Sequence, residues 1–229
     1  MRANERDTLL FILAITSGSS DAWSYLGLGH AFVANMTGNT VLLGIAVFGE
    51  HGDVMHPAIA LASYAAGVAI GSFLTRKVKQ NSLWSTSISV VLLIEGFLLL
   101  VSAAAWVWAD AMPSLILRSS LLSCVAVAIG LQSGAMLSLK LPGVVTTYIS
   151  GTWTTLVSGL VLLKSGRERI GGNQTSFEDR LLVQAVFLAT YFTSAIAAGW
   201  AFRYAPMMVA VIATVPILIV ASYGAIRGE

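Results

Sequence analysis

Residues 8–49 read TLLFILAITSGSSDAWSYLGLGHAFVANMTGNTVLLGIAVFG. The two ends of this stretch, Thr8 to Thr16 and Val41 to Gly49, are apolar runs of nine residues. At about 1.5 Å per helical residue, each is roughly half as long as a hydrocarbon core about 30 Å thick. Between them lies a polar, glycine-rich middle, with Ser17, Gly18, Ser19, Ser20 and Asp21 on one side and Asn35, Thr37, Gly38, Asn39 and Thr40 on the other. Polar side chains at membrane depth need partners, because an unsatisfied group there is costly. The stretch therefore predicts two segments that together make one net crossing and enclose polar groups facing a cavity, a solute or one another.

The rest of the chain repeats the theme. Hydrophobic residues make up 56% of the 229 and charged residues only 10%, far below the roughly 25% charge of a soluble domain. Eight apolar stretches follow one another, at 8–28, 32–49, 57–75, 86–109, 115–138, 144–163, 181–202 and 206–226. Arg2 and Arg6 ahead of the first run imitate a secretory signal, but the same pattern recurs in mid-chain. A net charge of +2, with basic residues spread over short loops, makes no nucleic-acid-binding surface. Cys124 is the only cysteine, so it forms no internal disulfide or thiolate cluster, and it reads as a packing residue.

Shifting the sequence by 113 places Met36-Thr37-Gly38-Asn39 over Ile149-Ser150-Gly151-Thr152, and Asp21-Ala22 over Gly134-Ala135. With a longer loop allowed, Gly67 and Gly71 fall on Ala195 and Gly199, a small-residue spacing that lets helix backbones approach closely in a bilayer. The chain thus reads as a single transmembrane domain over 1–229, built from repeats at about 8–109 and 115–226.

Orientation comes from the basic residues, which cytoplasmic loops retain. If the first two stretches of each repeat make one net crossing, Arg2, Arg6, Arg76, Lys77, Lys79, Lys164, Arg167, Arg169, Arg180 and Arg227 all face inside, with both termini cytoplasmic. Three crossings per repeat would invert the second copy relative to the first, as in many secondary transporters. The expected fold is an all-α integral membrane protein, a helical bundle of about six net crossings with inverted repeats and broken helices. Versions with seven or eight crossings are the rivals.

Asp21 is a candidate for reversible protonation or cation coordination, since a carboxyl at this depth normally faces a cavity or a polar partner. Its plainer reading is the cap of a helix starting at Ala22. An unwound turn across Asn35 to Thr40 offers amides, hydroxyls and glycine backbone to a solute; the same groups also serve packing between helices. The second repeat supplies a neutral, hydroxyl-rich counterpart in Gln132, Ser133, Thr146, Thr147, Tyr148, Ser150, Thr152, Thr154 and Thr155. Glu95 sits in mid-segment with no basic residue within a helical turn; it pairs with a group such as Arg118, stays protonated, or lines a proton path. Lys140, ahead of Pro142-Gly143, reads as a snorkelling turn residue.

Enzyme signatures are poor. His30, His51 and His56 have no metal-ligand spacing on one helix, and no phosphate-binding loop or nucleophile elbow occurs. Asp21-Ala22, Phe32 to Thr40, Gly130-Leu131-Gln132, Thr146-Thr147 and Ser150-Gly151-Thr152 together resemble the YoaK family of small bacterial multi-pass membrane proteins, across nearly the whole chain. The resemblance implies location and topology class rather than a substrate, because the family is a membrane domain of unknown function. The chain departs from the family pattern at Ser133-Gly134, where that pattern has Asn then Ala, so no amide role carries over to position 133.

These readings lead to an expectation with two branches. One is a secondary transporter of a small polar or cationic solute in the bacterial inner membrane, proton-coupled through Asp21, whose site draws on Asp21, Asn35, Thr37, Asn39, Thr40, Glu95, Gln132, Thr146, Thr147, Ser150 and Thr152. The other is a non-transporting membrane scaffold or assembly partner. The expected partners are the lipid bilayer and a small solute or proton, with no cofactor or metal and with homo-oligomers left open.

Overall fold

Long runs of Leu, Ile, Val and Ala favour helix wherever the backbone must satisfy its own hydrogen bonds, and short polar side chains start several of them. The computed structural model describes residues 3–49, 53–77, 85–138, 149–165 and 174–227. Among the described residues the chain forms eight helices: α1 (Ala3–Gly27), α2 (Met36–Phe48), α3 (Met55–Thr75), α4 (Thr86–Trp108), α5 (Leu115–Leu137), α6 (Ile149–Ser165), α7 (Gln174–Tyr204) and α8 (Met208–Arg227). Asn35 accepts from the Gly38 N–H to cap α2, Ser85 and Ser114 do the same for α4 and α5, and Asp53 Oδ1 accepts from the Met55 and His56 N–H groups at the start of α3. These bonds satisfy donors that a helix start leaves orphaned. Past the end of α1, Gly29 turns the chain with φ +116, a conformation open to glycine, and its Cα lies against the His56 ring.

Among the described residues, four helices are long and apolar enough to cross a membrane: Met55–Thr75, Thr86–Trp108, Leu115–Leu137 and Phe177–Tyr204. Large apolar side chains also point outward, among them Phe48, Phe97, Val161, Phe192 and Ile219. Water would penalise so continuous an apolar surface, whereas lipid matches it. α1 falls short on hydropathy for a physical reason. It is wrapped by α7 and α8 and touches α5, so Ser17, Ser19, Ser20 and Asp21 are buried in protein rather than turned to lipid.

Glycines set how closely the helices approach. Gly67 and Gly71 of α3 lie against Gly130 and Leu131 of α5, with a Cβ on Gly67 only 3.0 Å from the Gly130 Cα. Gly130 and Gly134 in turn lie against the backbone at Tyr64 and Val68, so α3 and α5 run parallel. α1 and α7 are also parallel, with Gly18 beneath the Tyr191 carbonyl and Gly27 beside Phe202. α4 and α8 are antiparallel: the Trp106 indole donates to the Pro206 carbonyl (2.9 Å), and Gly96 meets Leu218. The short helices α2 and α6 pack on α3 and α7.

Two sequence expectations change. The polar run from Ser17 to Asp21 does not break a helix: α1 continues for 25 residues through it. Asp21 therefore does not cap a helix beginning at Ala22. The hydroxyls bond back to their own helix, Ser19 Oγ to the Ile15 and Thr16 carbonyls and Ser24 Oγ to that of Asp21, so no backbone group has to be freed. The break lies after Gly27, in the turn that leads to α2. The second change concerns Gly199, which has nothing within 4 Å of its Cβ position; the close approach of α7 to α1 belongs to Gly18, which lies against Tyr191 and Ser194.

Candidate functional site

The segment between α1 and α2 folds back toward the bundle and is held by two side chains. Asp21 Oδ1 accepts hydrogen bonds from the N–H groups of Val33 (2.8 Å), Ala34 (2.6 Å) and Asn35 (3.4 Å), and its Oδ2 accepts one from the Tyr191 hydroxyl of α7. Asn39 clamps Phe32 from the other side: its Oδ1 accepts from the Phe32 N–H (2.8 Å) and its Nδ2 donates to the Phe32 carbonyl (2.6 Å). Both side chains are buried. Together they bond backbone groups that would otherwise be unsatisfied inside the membrane. The turn delivers the start of α2 to the level of Tyr64 and Val68, half-way along α3.

A cavity of about 510 Å³ opens beside this turn, lined by Asn35, Thr37, Tyr64, Ser133, Ser150 and Tyr191 with apolar neighbours. It thus lies between the first residues of α2 and α6, which the sequence shift had placed in register. Its polar lining is phenol, hydroxyl and amide, with no carboxylate among the described residues. Tyr191 touches both the cavity and Asp21, so the acid reaches the chamber through a phenol.

The predicted residues divide accordingly. Asn35, Thr37 and Ser150 line the cavity. Asp21 and Asn39 stand behind it as supports of the turn. The Thr40 hydroxyl bonds the Met36 carbonyl of its own helix (2.9 Å). Gln132 is fully buried and its Nε2 meets Ser17 Oγ at 3.3 Å, which joins the polar stretches of α1 and α5. Thr152 is buried in α6, and Thr154 and Thr155 bond carbonyls of the same helix. Glu95 is buried in α4 away from the cavity, and neither of its oxygens has a hydrogen-bond partner among the described residues. It does not pair with Arg118, whose Nε is equally without one. Thr146, Thr147, Tyr148 and Lys140 lie outside the described residues.

Sequence reading passed over Tyr64 and Tyr191. Each is a phenol in the middle of an apolar helix, and that polar tip at mid-helix was the available signal, because a tyrosine hydroxyl away from the membrane surface needs a partner. It also missed the link of Asp53 to the His56 ring, visible only as an i, i+3 spacing.

Helices with apolar exteriors stacked around an enclosed polar middle define a multi-pass helical membrane protein. The chain matches the family described as protein of unknown function (DUF1275) over residues 9–223, and it belongs to that family. It is similar to the UPF0700 transmembrane protein YoaK of Bacillus subtilis (strain 168), with 32% identity over 192 residues, 83% of this chain and 81% of the relative. No solved structure matches the chain. The resemblance read from Asp21-Ala22 and the Asn35 to Thr40 run agrees with this membership.

Proposed function

We propose that the chain is a secondary transporter of a small polar solute, with the 510 Å³ chamber between Tyr64, Tyr191 and the starts of α2 and α6 as its binding site. That chamber is the observation that carries the reading, since concave sites with a few convergent polar groups are where small ligands bind. The lining favours an uncharged polar solute over a cation, because no described carboxylate touches the chamber.

The transporter reading includes two inverted repeats and six net crossings, with α2 and α6 as half-length helices. The neighbour pattern supports it. Exchanging α1 with α5, α2 with α6, α3 with α7 and α4 with α8 turns every packed pair into another packed pair: α3 on α5 becomes α7 on α1, α1 on α8 becomes α5 on α4, and α2 on α3 becomes α6 on α7. The direction of the helices supports inversion, since the chain leaving α1 places Gly29 against His56, and His56 also meets Ser119 at the start of α5 (3.4 Å). The first helix of one half therefore ends where the first helix of the other begins. Arg76 and Lys77 follow the last residue of α3, and Arg180 lies in the second turn of α7, at the end of the bundle where α1 starts, which supports cytoplasmic termini.

Asp21 supplies the coupling. Its carboxylate accepts four hydrogen bonds and donates none. A proton added to it would turn an acceptor into a donor facing N–H or O–H groups, and the turn from Leu28 to Asn35 would be released. Proton binding is in this way tied to opening the chamber.

The test is a thermal-shift screen of the purified protein against polar metabolites, followed by uptake into liposomes. A ligand that raises the unfolding midpoint, is taken up, and loses its pH-dependent uptake in Asp21→Asn supports the proposal. Equal flux and equal pH dependence in the variant would remove the coupling role. The scaffold reading has its own observation, that the bonds of Asp21 and Asn39 go to backbone and Tyr191. It predicts stability losses in those variants with no ligand shift and no flux.

A further inference from the structure

A second cavity, of about 380 Å³, lies at the opposite end of the bundle from Arg76, between the ends of α1 and α4, the start of α5 and the last turn of α7. The rings of Trp106 and Phe202 form one wall, their centroids 6.3 Å apart. Gly27 keeps that wall open, since a Cβ there would lie 2.6 Å from the Trp106 ring. His30 and Arg118 contribute the polar side. Arg118 is half-buried, its Nε is shut away from solvent with no hydrogen-bond partner, and its guanidinium makes no ion pair or ring contact among the described residues. Among the described residues, no acidic group serves it. Asp53 is held by His56, Asp110 is exposed and does not line the cavity, and Glu95 has no bond to it.

An arginine stays charged in a protein and presents five donors in a planar fork that matches an oxyanion. Such a group left half-buried without a partner is costly. Its position in the first turn of α5 makes the want greater, because the partial positive charge of a helix start adds to its own. We propose that this cavity binds an oxyanion, a carboxylate or phosphate carried on a flat or apolar body, with Arg118 as the charge partner and Trp106 and Phe202 as the wall against which the body lies. The site is separate from the chamber at Tyr191, and binding here stands whether or not the chain transports.

Two sources offer that chemistry. One is a free organic anion, and the other is the headgroup of a lipid, which is within reach because Met112 of the cavity lining is an exposed apolar side chain suited to a membrane surface. So are Trp108 and Ile116, each two positions along the chain from the lining residues Trp106 and Arg118. The experiment uses the full chain in maltoside micelles, which carry no phosphate, and reads the unfolding midpoint and tryptophan fluorescence against added benzoate, inorganic phosphate or phosphatidylglycerol. A saturable response to benzoate or phosphate is expected, with the half-saturating concentration raised at least ~10-fold in Arg118→Gln and less in Arg118→Lys, which keeps the charge without the fork. Unliganded Arg118→Gln should fold and be no less stable than the native chain, because it loses an unpaired cation. A response confined to phosphatidylglycerol and lost in Arg118→Gln would assign the same site to a lipid headgroup. Should Arg118→Gln fail to fold, Arg118→Lys decides the matter by its weakened response. No response from the native chain to any of the three probes, or an equal response in the variants, overturns the proposal.

Discussion

The hydroxyl of Tyr191 in α7 donates to the carboxylate of Asp21 in α1, across 170 positions of sequence. The other oxygen of that carboxylate holds the backbone of Val33 to Asn35, so one acid joins α1 and α7 to the turn before α2. Replacing Tyr191 by Phe removes the donor and keeps the shape. A bond to a charged group is worth about 1.5 to 3 kcal/mol, so Tyr191→Phe should lower unfolding stability by that order in denaturant or thermal titration. Asp21→Ala should cost more, because it also strands the N–H groups of the turn, and Asp21→Asn should fall between. Equal stability of Tyr191→Phe and the native chain would remove this role of the phenol.

Asn39 donates to and accepts from the same residue, Phe32, which an ionised carboxylate cannot do because it only accepts. Asn39→Asp keeps the size but sets a carboxylate oxygen against the Phe32 carbonyl, so it should destabilise as severely as Asn39→Ala, each by about 2 kcal/mol or more. Asn35→Ala removes a cap alone and should cost about 1 kcal/mol. Thermal unfolding of the three variants in one detergent checks the ranking.

Glycines sort by what lies over them. Gly67→Ala and Gly130→Ala each push a methyl group into the backbone of the facing helix; neither backbone yields cheaply, and losses of about 1 to 3 kcal/mol are expected. Gly44→Ala and Gly199→Ala meet nothing within 4 Å, so helix propensity alone acts and stability should rise by up to about 1 kcal/mol. A loss at Gly199 equal to that at Gly67 would contradict the open space beside Gly199 in α7, and no loss at Gly67 would contradict the packing of α3 on α5.

Asp53 lies outside the membrane-spanning segments. Partial burial pushes its carboxyl up, but hydrogen bonds from the His56 ring and from the His56 and Met55 N–H groups, together with attraction to that ring, outweigh it and hold the group below its ordinary value of 3.8. A carboxyl depressed in the folded chain stabilises it above the unfolded value, and that contribution fades as pH falls through the lower folded value. The native chain should therefore be more stable than Asp53→Asn at neutral pH, with the difference shrinking below about pH 4. Melting curves of both proteins from pH 7 to 3 test this; a difference that grows on acidification would refute the assignment.

Much of the fold was legible because the length and apolarity of a segment are local properties. α4, α5 and α8 fall close to the stretches read at 86–109, 115–138 and 206–226. The half-length of the segment after Val41 also came through, since α2 has only 13 residues. The break was misplaced. Ser17 to Asp21 look like helix breakers in isolation, yet α1 runs through them because α5, α7 and α8 surround it and supply what lipid would have denied. Of the site, Asn35, Thr37 and Ser150 were legible as polar residues in apolar context. Tyr191 was not, because its meaning comes from a partner in another helix.

The sequence by itself determined that the chain lives in a bilayer and which residues cannot face lipid, because the cost of placing polar groups in hydrocarbon applies residue by residue. Only the tertiary structure decided how those residues are used. Asp21 and Asn39 became supports of a turn, Arg118 and Glu95 were left apart, and the chamber formed around Tyr64 and Tyr191. Each of these outcomes depends on which helices lie side by side, a matter of shape complementarity at glycines far apart in the chain.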